Sequence, residues 1–92
     1  MVLTEEELNL GNAADLAQRG CAAISAGTEE FDLSSINSVD SSAVAVLLAW
    51  QRQAHQQQRS IRLVAAPASL LSLINLYGLQ DFFEMREPRV AA

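Results

Sequence analysis

The tripeptide Asp40-Ser41-Ser42 places one carboxylate and two hydroxyls directly ahead of the apolar run Ala43-Val44-Ala45-Val46-Leu47-Leu48. Two kinds of chemistry fit that order. The first is structural: a short oxygen-bearing side chain at a helix start accepts a hydrogen bond from the unpaired N–H groups of the first turn, and this contributes about 0.5–2 kcal/mol. The second is regulatory: a phosphate on either hydroxyl would add about −1.5 to −2 charges beside the positive end of the helix dipole. The fold tolerates charge there while the outward surface changes sign, so docking would change without unfolding.

Other reactive groups are isolated. His55 has no Cys or second His to complete a metal site and no nucleophile in register, so it reads as a solvated histidine on a helix face. Cys21 is the single cysteine; it allows neither an intramolecular disulfide nor a thiolate cluster, which suits a reducing compartment. No glycine-rich loop ends in Lys, so nucleotide hydrolysis has no sequence support. The expectation is a chain with no catalytic residue, no metal and no cofactor; a small hydrolase is the weakest of the readings.

The elements that must hold these residues alternate. Leu8 to Asn12 reads as a short strand entering a turn, with Asn12 capping a helix from Ala13 to Ile24 that ends before Gly27. Glu30 to Ser34 is a second strand, and Asp40, Ser41 or Ser42 caps a helix running from Ala43 to Gln58. Ile61 to Val64 is a third strand, and Pro67 opens a third helix that ends at Gly78. Leu79 to Glu84 has room for one more short element. Strands joined through helices of this length lie parallel with right-handed crossovers, so the helices are expected mainly on one face of a mixed sheet. We read residues 1–92 as a single domain with its core at about 3–84 and a frayed end over 85–92.

Composition narrows the functional class. Half of the residues are apolar and only 18% are charged, which is low for so small a chain and points to apolar surface covered by a partner. A net charge of −5 with six Lys and Arg residues leaves no basic stripe for nucleic acid or an anionic bilayer. The acidic N-terminal segment resembles neither a signal peptide nor a membrane span, and the apolar run Ala43–Trp50 is too short to cross a bilayer. Glu5-Glu6-Glu7 and Glu29-Glu30 are solvated faces. Val44, Leu47 and Trp50 share helical faces suited to core packing, with one of them a candidate partner anchor. Leu70, Leu73, Ile74 and Tyr77 form the apolar stripe of the third helix, and Leu71 falls off it toward a docking surface.

From Phe31-Asp32-Leu33-Ser34 through Val39-Asp40-Ser41-Ser42-Ala43-Val44-Ala45-Val46-Leu47-Leu48 the chain resembles the STAS domain of anti-sigma-factor antagonists and sulfate-transporter tails. Leu76-Tyr77-Gly78-Leu79 matches a Leu-Tyr-x-Leu motif of the branch that serves Mla-type bacterial phospholipid ABC transporters. The resemblance implies a STAS-like α/β fold over roughly residues 3–83. It also implies a non-catalytic, cytoplasmic regulatory subunit. That subunit would bind the transporter ATPase, in complex with a membrane permease, and lie peripheral to the inner membrane without inserting into it; the transporter would maintain outer-membrane lipid asymmetry. The alternative is a phospho-switched anti-sigma-factor antagonist. Ser42 matches the phosphorylatable serine of the antagonists, and Ser41 matches the threonine of the transporter branch. The expected contacts are therefore Asp40, Ser41 and Ser42, with Val44, Leu47, Trp50, Leu71 and Tyr77 as interface candidates; a homodimer is a further use of the same surface. Two departures stand out: Ala43-Val44 replaces a glycine common in the family, and the first family strand must be short or missing because only Met1–Glu7 precede Leu8.

Overall fold

A computed structural model describes residues 1–87. Its elements are β1 (Glu7–Leu8), α1 (Ala13–Ser25), β2 (Glu30–Asp32), β3 (Ser38–Val39), α2 (Ser42–Gln56), β4 (Arg62–Val64), α3 (Ala68–Leu76) and β5 (Glu84–Arg86). A 3-10 turn, Gln80–Phe82, leads into β5.

Every strand pairing among the described residues is parallel: β1 with β3, and β2–β4–β5 in that order. The α/β class holds, but the antiparallel component of the expected mixed sheet does not appear there. The physical reason lies in the connections. Antiparallel neighbours are commonly joined by a tight hairpin, whereas each paired couple here is separated by at least one whole helix: α1 lies between β1 and β3, α2 between β2 and β4, and α3 between β4 and β5.

The first family strand is present in short form. Val2 bridges Asp32 in parallel, the Leu3 N–H donates to the Asp32 carbonyl at 3.0 Å, and the Asp32 N–H donates to the Met1 carbonyl at 2.8 Å. Between that bridge and the β1–β3 pair the register shifts by one residue. The Ser35 hydroxyl fills the break, lying 2.7 Å from both the Leu3 and the Glu5 carbonyl oxygens. Leu10, expected inside the strand, lies beyond its end in the turn to α1.

Alternation along the strands decides which face is covered. Phe31, Leu63 and Met85 stand in one register row and belong to the core side, while Glu30, Arg62 and Glu84 form the neighbouring polar row. On the core side the Phe31 ring stacks on Trp50 of α2, with centroids 4.3 Å apart and planes 15° from parallel. The Trp50 indole N–H donates to the Leu16 carbonyl of α1 at 3.1 Å, so the largest core side chain leaves no polar atom unpaired. Gly20 makes the approach feasible: a Cβ there would lie 2.0 Å from Trp50 Nε1. Leu16, Ile24, Leu47, Leu70 and Ile74 close the same cluster.

Helix ends follow local chemistry. Gly27, at φ +110°, closes α1 with the Thr28 N–H on the Ala23 carbonyl, as the sequence predicts. Asn12 occupies the cap position but does not cap with its side chain, which accepts from the Asn9 N–H and donates to the Glu7 carbonyl. α2 stops at Gln56, two residues early, because Gln58 takes a left-handed φ of 57° and the Arg59 N–H reaches back to the Ala54 carbonyl. The expected fraying from residue 85 is corrected for Met85 and Arg86, which pair with Leu63 and Val64. Residues 88–92 of that expectation lie outside the described residues.

Candidate functional site

β3 delivers the chain to Asp40 at the carboxyl end of the strand, where the first turn of α2 begins. In open parallel α/β sheets the turns at the carboxyl ends of the strands carry the exposed backbone groups that bind partners and ligands. Here the turn is fastened from both sides. Asp40 Oδ1 accepts from the Ser42 N–H at 2.8 Å and from the Ser42 hydroxyl, and Oδ2 accepts from the Leu10 N–H at 3.1 Å. Asp40, rather than either serine, thus serves the free N–H of the helix start. Its carbonyl also takes the Ala43 N–H, and the Ser41 carbonyl takes the Val44 N–H.

The two hydroxyls have different situations. Ser42 is half-buried and its hydroxyl is held by the carboxylate, whereas Ser41 is exposed at the surface. A phosphate on Ser42 would have to displace Asp40. At Ser41 a substituent projects outward from a base that is already fixed.

The hydrogen bonds from Ser42 and Leu10 hold the Asp40 carboxyl below the usual carboxylate range. Glu5 is lowered as well, mainly by its hydrogen bond to Arg19, whose guanidinium lies 2.7 Å away. A carboxylate whose folded pKa is depressed stabilises the fold above its unfolded value, and that contribution is lost as pH falls through the folded value. Thermal midpoints are therefore expected to be flat from neutrality down to about pH 4 and to fall below it. Asp40→Asn and Glu5→Gln should each flatten the acid limb; a limb unchanged in both variants would show that neither carboxylate is linked to folding.

Three of the expected interface residues are corrected. Val44, Leu47 and Trp50 are buried in the core and cannot reach a partner across the folded surface. Their positions follow from α2 packing its apolar face on β2 and α1. Leu71 and Tyr77 are exposed, at 38% and 53%, but Tyr77 sits at the C-cap of α3 and leaves the apolar stripe to Leu70, Ile74 and the half-buried Leu73. Leu10, Leu76 and Phe82, which are not among the expected contacts, are also exposed. Leu76 could have been found from the Leu70–Ile74 spacing, whereas Leu10 required knowledge of the turn.

Depressions in the surface lie elsewhere. One of about 730 Å³ is lined by Glu30, Arg62, Val64, Met85, Arg86 and Glu87, and one of about 280 Å³ by Ala65, Ala66, Leu71 and the β5 end. None of these residues belongs to the Asp40–Ser42 turn. His55 is exposed at the end of α2, and the Cys21 thiol, half-buried beside the Ala49 carbonyl, is pushed up by burial. Among the described residues no His, Cys, Asp and Glu cluster could hold a metal, and no helix is long and apolar enough to cross a membrane.

Comparison with known proteins agrees with this fold. A solved structure of a candidate anti-sigma-factor antagonist from Thermotoga maritima superposes with a TM-score of 0.75, covering 92% of this chain and 76% of that one at 18% identity, a likeness of fold. The intermembrane phospholipid transport system binding protein MlaB of Haemophilus influenzae is 36% identical over 53 residues, which span 58% of this chain and half of that protein. The family described as "Mlab, STAS domain" matches residues 2–87, and the chain belongs to the STAS-domain family.

Proposed function

We propose that this chain is a non-catalytic subunit that docks, through the Asp40–Ser42 turn, onto the cytoplasmic ATPase of an Mla-type phospholipid ABC transporter. It would act at the inner membrane through that complex, which includes a permease. One observation carries the reading: Asp40 fixes the turn from two sides, so that exposed Ser41 stands on a rigid base suited to contact with a protein surface. The likeness to MlaB supports a place in an intermembrane phospholipid transport system, and the ATPase as partner follows from the resemblance stated for the sequence.

The test is co-expression with the Mla-type ATPase of the source organism, followed by affinity purification and thermal unfolding of each variant. Ser41→Ala should cost at most about 0.5 kcal/mol, because Asp40 already provides the cap. Ser41→Glu or a bulky Ser41→Trp should weaken ATPase binding about tenfold or more with the unfolding midpoint unchanged. Binding losses matched by equal losses of folded protein would remove the turn from the interface.

The alternative, a phospho-switched antagonist, draws on Ser42 standing at the helix start. It requires stoichiometric phosphate on Ser42 in protein from its own cells, and a chain free of that phosphate that copurifies with the ATPase excludes it.

A further inference from the structure

We propose that Leu10 is the apolar anchor of this docking surface, entering an apolar pocket rimmed by Lys or Arg on the ATPase. The inference rests on the docking reading above and adds a residue outside the turn. A single exposed leucine is ordinary on a protein surface and by itself signifies nothing. Three observations set Leu10 apart.

It is the most exposed of the large apolar side chains among the described residues, at 82%. Its loop is also already ordered. The Asn9 N–H donates to Asn12 Oδ1, the Gly11 N–H to Asn9 Oδ1, the Asn12 N–H to the Asn9 carbonyl, and the Leu10 N–H to Asp40 Oδ2. Four consecutive backbone donors are thereby satisfied, so a partner that covers Leu10 need not order the loop that carries it. The last of those bonds also joins Leu10 to the Asp40–Ser42 turn, which makes the leucine and Ser41 parts of one surface.

Charge indicates what lies around the pocket. Residues 1–51 hold eight of the eleven acids and one of the six arginines. That arginine, Arg19, is engaged with Glu5 and Asp15. Glu6, Glu7 and Asp40 are exposed close to Leu10 in sequence or through the hydrogen bond, and no Lys or Arg occurs in the sequence before Arg19. An anionic lipid surface would be repelled by these exposed carboxylates, and a basic rim on a protein would be drawn to them.

The test measures association of the purified chain with the same ATPase. Leu10→Ser, at an exposed site, should leave the unfolding midpoint unchanged and weaken binding about thirtyfold, the scale of an interface anchor. Leu10→Met should retain most of the affinity. Raising NaCl from about 50 to 500 mM should slow association of the wild-type chain. If Ser41→Glu disrupts binding while Leu10→Ser does not, the anchor is refuted and the docking reading stands. If neither variant alters a measurable affinity, both fall. An association rate insensitive to salt overturns the basic rim.

Discussion

Trp50→Ala is expected to lower stability by about 3–5 kcal/mol, the range for removing a large aromatic side chain from a closed core. Trp50 is fully buried, stacks on Phe31 and satisfies the Leu16 carbonyl, so truncation removes a ring contact and a hydrogen bond together with the buried area. Folded domains hold about 0.05–0.15 kcal/mol per residue, which makes roughly 5–14 kcal/mol for a chain of this length. The variant should therefore unfold at much lower denaturant. Urea titration followed by circular dichroism measures this. A loss under about 1.5 kcal/mol would show that the indole is not the centre of the core, and selective loss of ATPase binding by a fully folded Trp50→Ala would restore it as a partner anchor.

Gly20→Ala runs against the ordinary rule for helices. Alanine inside a helix is favoured over glycine by about 1 kcal/mol, and Gly20 lies in the middle of α1. Yet its added methyl would fall 2.0 Å from the Trp50 Nε1 and 2.3 Å from Cε2, well inside contact distance. The indole cannot retreat without leaving the Leu16 carbonyl and the Phe31 ring. Overpacking of this kind costs about 1–3 kcal/mol or more and outweighs the gain in propensity, giving a net loss of about 2 kcal/mol. Trp50→Phe in the Gly20→Ala background should recover part of it, because the smaller ring vacates the contested space. An unfolding midpoint raised in Gly20→Ala would mean that the two helices part easily.

The elements that were legible in the sequence are those fixed by short-range chemistry. Gly27 marks a helix limit because its φ of +110° favours glycine, Pro67 because its fixed φ and missing N–H suit a helix start, and the Phe31 and Leu63 rows alternate in the manner of strands. Gln58 was not legible as a stop, since a glutamine carries no visible preference for the left-handed φ that closes α2. The role of Gly20 could not be read either, because it depends on a tryptophan thirty positions away. At the site, the position of the turn was readable, but the division of labour was not: three adjacent oxygen-bearing side chains could each cap, and the Leu10 N–H draws Asp40 into that task. Trp50, Leu47 and Val44 lay on helical faces that periodicity alone could assign to core or to interface. Only the neighbouring sheet decided the matter.

The parallel order β2–β4–β5 has a consequence for how the chain is made. Among the described residues no strand finds its partner in the next strand of the sequence through a hairpin, so each pairing waits for a loop of about twenty or more residues to close, and such long-range closure slows folding. Among the described strands β5 is the last to be synthesised. Until Glu84–Arg86 emerge, β4 presents its backbone as an open margin, with Leu63 beside it, and an unpaired margin of that kind invites pairing with another nascent chain. The final strand therefore acts as a seal applied after synthesis of the sheet is otherwise complete. The vulnerable interval lasts from the exposure of β4 until Glu84–Arg86 pair with it.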